Sequence, residues 1–103
     1  EVRLIGRGYS SLSQVSQIQD GAGRNLRALQ LHGNCLAKIL GLDEACPFLQ
    51  KLVLSSNELV ALDGIYGLHE LRLLDVSSNR LSKLERLGNF VALESLLAAH
   101  NSI

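Results

Sequence analysis

Leu71-Arg72-Leu73-Leu74-Asp75-Val76-Ser77-Ser78-Asn79-Arg80-Leu81-Ser82-Lys83-Leu84 sets the frame for the whole chain. Counting Leu71 as position 1, its template residues are apolar at 1, 4, 6, 11 and 14, with Asn at 9. The spacing recurs from Leu49 to Leu62 around Asn57, and from Leu26 to Ile39 around Asn34. It returns from Leu93 to Ile103 around Asn101. Asn34 to Asn57 is 23 residues, and the next two steps are 22 each. A fixed period of about 20–29 residues is the mark of stacked repeats, each too small to bury its own apolar side alone.

Working outward, the full coils are residues 26–48, 49–70 and 71–92, with a truncated coil at 93–103. Residues 1–25 form a degenerate opening coil plus an insertion. Val2, Leu4, Tyr9, Leu12, Val15 and Ile18 fit the template there, and Arg7 stands at the Asn position. Asp20-Gly21-Ala22-Gly23-Arg24-Asn25 reads as a tolerated surface loop. In each coil, apolar residues first alternate, as Leu52 and Leu54 do, which is the period of a strand. They then recur every three residues, as at Leu59, Leu62, Ile65 and Leu68, which suits 3₁₀ or short helical turns. Strands are expected at 2–5, 28–32, 51–55, 73–77 and 95–99, parallel and about 4.8 Å apart. Pro47 precedes a strand, where its missing N–H does least harm.

Ten basic and ten acidic residues balance. That speaks against a nucleic-acid surface, which requires a clustered excess of Lys and Arg, and against a polybasic membrane patch. No apolar run approaches the roughly 20 residues of a spanning helix. The chain begins and stops inside repeats, as a piece of a longer protein would, so a missing leader carries no weight. Cys35 and Cys46 read as free, buried thiols of a reducing compartment.

The chemistry-bearing residues point to structure and binding, with no enzyme. Asn34, Asn57, Asn79 and Asn101 should stack at the strand ends. Each amide can satisfy backbone groups of its own coil and the next. His32 and His100 occupy near-equivalent positions three coils apart, about 14 Å, too far to share a metal. His69 lies on the return side. The Ser55-Ser56 and Ser77-Ser78 pairs have no His–Asp partner in phase, and Gly6-Arg7-Gly8 is too short to cradle a phosphate. No catalytic residue, metal or cofactor is expected. Strand alternation leaves an outward face that turns apolar at Val53, Leu73, Leu97 and Ala99, where a protein partner would sit. Lys51, Asp75 and His100 would rim it, extended by Gln30 and His32.

The coils Leu49–Glu70 and Leu71–Ala92 resemble the 22-residue class of cytosolic leucine-rich repeats. That class includes the nuclear regulatory subunit of type-one protein phosphatase, axonemal dynein light chains, cilium assembly factors and centrosomal proteins with leucine-rich repeats and coiled coils. Leu4-Ile5-Gly6-Arg7-Gly8-Tyr9-Ser10-Ser11-Leu12 and Leu31-His32-Gly33-Asn34 look like the start of the centrosomal members. Gly33 and Cys35 depart from the usual residues beside the first Asn. The resemblance implies an α/β repeat fold: a leucine-rich-repeat solenoid with a parallel concave sheet and a convex side of 3₁₀ and short helical turns. It implies a non-catalytic interaction module of a ciliary, axonemal or centriolar scaffold. The partners would be axonemal, centriolar or tubulin-associated proteins. The alternative is a regulatory subunit docking on a phosphatase or a dynein motor. The location would be cytoplasmic, at a cilium, axoneme or centrosome. Secreted relatives usually carry disulfide-stapled caps, a pattern that two unclustered cysteines do not supply.

Overall fold

A computed structural model describes residues 1–103. Strands β1 (Val2–Arg3), β2 (Ala28–Gln30), β3 (Lys51–Val53), β4 (Leu73–Asp75) and β5 (Ser95–Leu97) form one sheet in chain order, every neighbouring pair parallel. The register pairs Leu29 with Leu52, Leu52 with Leu74, and Leu74 with Leu96. These are the steps of 23, 22 and 22 seen between the asparagines. The first step, Val2 to Leu29, is 27 residues, which sets Arg7 level with Asn34.

The strands are shorter than the alternation predicts. Their hydrogen bonding runs on, since Leu31 N donates to Val53 O (2.8 Å) and Gly33 N to Ser55 O (3.0 Å), and later strands repeat this. The extended run then stops at a left-handed residue in every coil: Gly6, Gly33, Ser56, Ser78 and His100, with φ between +56° and +74°. In the later coils this turn delivers the ladder Asn into the stack, whereas Arg7 at the same level stays exposed and contributes only its backbone N–H.

The return paths are mostly turns. One helical turn, α1 (Leu42–Ala45), and 3₁₀ turns at Leu12–Gln14, Ser16–Ile18, Ala22–Asn25 and Leu87–Asn89 occupy three of them. The coil at 49–70 returns without any helix. The supposed loop at 20–25 is no loose insertion. Its 3₁₀ turn packs on the next coil, and Gly23 is buried, with a Cβ there falling 2.5 Å from the Ala45 carbonyl oxygen. These residues complete the first coil.

The core is one apolar cluster between sheet and return paths. It is built of rows such as Leu4, Leu31, Leu54 and Val76, each buried beneath the next coil's equivalent. Each fully buried Leu contributes about 1.5–3 kcal/mol. Tyr66 and Phe90 stack at 5.8 Å, and Arg86 lies over Tyr66 at 5.4 Å. Burial raises the Tyr66 phenol above its ordinary pKa, with Asp63 and Glu85 adding to the rise and Arg86 opposing it.

The asparagine ladder forms, but it points backward. Asn79 Nδ2 donates to Val76 O of its own coil and to Leu54 O of the preceding one, and its Oδ1 accepts from Leu59 N at 3.0 Å. Asn57 and Asn101 repeat these bonds one coil earlier and later. Asn34 Oδ1 accepts from Arg7 N and Tyr9 N, and its Nδ2 donates to Leu4 O. Each amide thus joins its own coil to the preceding one. Spacing alone gave no direction, because the same interval lies on both sides.

Candidate functional site

The outward face of the sheet reads as three rows across the strands. Ala28, Lys51, Leu73 and Ser95 make one row. Arg3, Gln30, Val53, Asp75 and Leu97 make the second. Continuation of the ladder places Ile5, His32, Ser55, Ser77 and Ala99 in the third. All are held by strand backbone whose opposite side is core, so the face is rigid, and every side chain on it but the buried Ser55 stays half-buried or exposed.

The register corrects how the apolar residues meet. Val53 and Leu97 lie opposite Asp75, and Leu73 lies opposite Lys51 and Ser95. Leu73 therefore reaches Val53 and Leu97 only diagonally, about 8 Å away at the Cα level. The three aliphatics surround Asp75 instead of forming one continuous patch. Leu97 is the most open of them, at 48% exposed.

The polar residues fall into two groups. Toward the first coils, Arg3 bridges Glu1 at 3.6 Å, and Gln30 Nε2 donates to the same carboxylate. The Gln30 hydrogen bond, with the nearby charges of Arg3 and Lys51, holds the Glu1 carboxyl below its ordinary pKa. His32 Nδ1 and Ser55 Oγ share a hydrogen bond of 2.7 Å. Toward the last coils, Asp75 Oδ1 accepts from both Ser77 N (3.0 Å) and Ser77 Oγ (2.7 Å). His100 is displaced from the expected place. His32 aligns with Ser55, Ser77 and Ala99, whereas His100 is one residue further, on the left-handed turn. It flanks the face from the loop and does not stand on the strand.

No three His, Cys, Asp or Glu side chains cluster at metal-binding distance. The cysteines are free, but only Cys46 is buried. Cys35 is exposed because it follows the ladder Asn, a position that later coils give to Glu58, Arg80 and Ser102. At that level Arg80 pairs with Glu58 at 3.8 Å.

One surface went unread. Leu40 and Val60, 65% and 58% exposed, flank a shallow groove on the return side with Ala37, Lys38, Ala61 and Asp63. The signal was present: each follows directly on an inward residue, Ile39 or Leu59, and so falls off the three-residue period.

Among curated proteins, the chain is similar to a protein phosphatase 1 regulatory inhibitor subunit PPP1R7 homolog of Arabidopsis thaliana. The two are 37% identical over 70 residues, covering 68% of this chain and 21% of that protein. Plant intracellular Ras-group-related LRR protein 8 of Oryza sativa subsp. japonica is 32% identical over 101 residues, 93% of this chain and 27% of that one. Chaoptin of Drosophila melanogaster is 35% identical over 87 residues, 82% of this chain and 7% of that one. The solved functional domain of InlJ from Listeria monocytogenes, which includes a cysteine ladder, superposes with a TM-score of 0.78. It is 22% identical, covering 94% of this chain and 20% of that one. The chain is a stack of leucine-rich repeats. The InlJ likeness shows the solenoid fold, and the in-register parallel sheet shows it independently. No protein-family model matches these repeats. The repeats described here span 7% to 27% of the length of those curated relatives. No helix in them is long and apolar enough to cross a membrane.

Proposed function

We propose that these repeats are a non-catalytic protein–protein interaction module of a larger scaffold protein, holding a segment of its partner on the concave sheet. The observation that carries this reading is the placement of Val53, Leu73 and Leu97 on a rigid sheet face opposite the core. Aliphatic side chains held out by a fixed backbone give up little entropy when a partner covers them. Gln30, His32, Lys51, Asp75 and Ala99 complete the surface, with His100 at its edge. On the resemblance to the 22-residue class, the proposed scaffold is cytoplasmic, at an axoneme, cilium or centriole, with tubulin-associated or centriolar proteins as its proposed partners.

A second reading has its own support. The Arabidopsis relative is described as a phosphatase regulatory inhibitor subunit, and it matches 68% of this chain. A regulatory module would dock on an enzyme, such as a protein phosphatase or a dynein motor, through the same face.

The test is crosslinking mass spectrometry of the full-length protein in cells, followed by affinity measurement with the partner recovered. Phosphatase or dynein peptides would favour the regulatory reading, and centriolar or axonemal peptides the scaffold. Leu73→Asp and Leu97→Asp should each weaken binding at least roughly tenfold, the equivalent of about 1.4 kcal/mol. Thermal melting should change little. Glu85→Ala, on the exposed return side beside Lys83, should bind normally. Normal binding by both Asp variants would move the partner off the concave face.

A further inference from the structure

The concave face carries one acid without a cation. Asp75 stands between Val53 and Leu97 in its own row, with Leu73 one pleat back on the same strand. Only its Oδ1 is engaged, by the amide and hydroxyl of Ser77. No Lys, Arg or His nitrogen lies within 4.0 Å of the carboxylate, and its Oδ2 is not sealed from solvent. The cations of this face serve elsewhere. Arg3 pairs with Glu1, and Lys51 adds to the positive field on that same carboxylate.

Each feature bears on the occupant. The two Ser77 hydrogen bonds fix the carboxylate in one orientation, so its free oxygen is pre-aimed. The neighbours on either side are aliphatic, so a group bound there is partly desolvated and a charge pair is stronger than at an open surface. Lys and Arg match both demands, because an aliphatic stem packs on aliphatic walls while the cationic head reaches the acid. An acidic or wholly apolar partner residue would leave the Asp75 charge buried and unpaired, which disfavours it.

We propose that Asp75, fenced by Val53, Leu73 and Leu97, is the specificity subsite of the concave face. It receives a lysine or arginine from a partner segment that carries aliphatic residues on either side of that cation. The inference rests on the concave-face reading given above and names the partner chemistry for it.

The experiment is selection of binders from a random peptide library displayed on phage, run in parallel on the wild-type chain and on Asp75→Asn. Asn keeps the oxygen that Ser77 binds, and thermal melting of the variant checks the fold. Wild type should enrich peptides with Lys or Arg flanked by Leu, Ile or Val. Asp75→Asn should lose the basic enrichment and bind the wild-type peptides roughly tenfold or more weakly. Asp75→Arg should recover binding when the peptide's basic residue is replaced by Asp. Peptides that depend on Leu73 and Leu97 but show no basic preference would overturn the subsite and leave the concave face standing. Peptides indifferent to Leu97→Asp would overturn both readings. Enrichment of no peptide at all would count against the subsite as well.

Discussion

Cys46 shows how much one side chain's surroundings decide. It is fully buried, and burial pushes its thiol up to about 11 from an ordinary 9.0. The fold therefore holds the neutral form. Its folded pKa lies above the unfolded one, so as pH rises from about 9 to about 11 the unfolded chain releases its proton first and stability falls. The limit for two units is about 2–3 kcal/mol. Unfolding by urea across that window should show a steeper loss for wild type than for Cys46→Ala, although the variant starts less stable. Parallel slopes would mean the thiol is not confined. Alkylation at about pH 8 should label Cys35 at once and Cys46 only after denaturation. The two cysteines were indistinguishable by type, and both read as buried. What separates them is register: Cys35 falls at the level of Glu58 and Arg80, and Cys46 falls among inward residues. The step of 23 sets Cys35 level with Glu58, but the extra residue of its coil shifts the match for Cys46 by one, to buried Leu68, so a single repeat step does not separate them.

At the scale of the turn and the strand, the return path of the third coil depends on Gly64. Its φ is +109°, and a Cβ there would meet Leu40 Cα at 2.6 Å and the Ile39 carbonyl closer still. These are backbone atoms, fixed by the Asp43 N to Gly64 O hydrogen bond of 2.8 Å between the same two coils. Gly64→Ala should therefore cost more than about 3 kcal/mol, combining left-handed strain with a clash that has no side chain to yield. Gly88, in the 3₁₀ turn at Leu87–Asn89, has open space around it and no positive φ. Gly88→Ala should leave stability within about 1 kcal/mol of wild type, and a small gain is expected. Urea midpoints for the two variants decide it, and equal costs would sink the account. Strand positions were legible because alternation and period agree at Leu52–Leu54 and Leu74–Val76. The place where each strand ends was not. Ser56, Ser78 and His100 adopt a left-handed backbone that their residue types do not announce, and only Gly6 and Gly33 hinted at the row. The apolar members of the concave face were legible by the same alternation, but their encirclement of Asp75 emerges only when strands are set side by side.

Across the whole molecule, the direction of the asparagine bonds and the layout of the core make stability uneven from coil to coil. A stack of repeats is held by each unit's own packing plus its interfaces with neighbours. Leu74 is completely buried, with β3 and β5 on either side, whereas Leu96 is half-buried on the last strand. Asn79 and Asn101 make matching hydrogen bonds to their preceding coils, yet Asn79 is buried and Asn101 is half-open to water. Removing an amide matters most where water cannot replace it. In this 103-residue chain, Leu74→Ala should cost about 2–5 kcal/mol and Leu96→Ala distinctly less. Asn79→Ala should likewise exceed Asn101→Ala, with a loss of about 1–3 kcal/mol for the buried one. Hydrogen exchange should follow the same gradient, because opening the last coil breaks one interface and opening a middle coil breaks two. Amides of Leu31 and Leu54, each bonded to the following strand, should exchange near the global unfolding limit. Amides of the last coil, such as Ser102, which bonds to Leu81 O at 2.8 Å, should exchange far sooner. Uniform protection from β1 to β5, with equal costs for the paired substitutions, would show that the stack unfolds as one unit and that burial at its ends does not govern its stability.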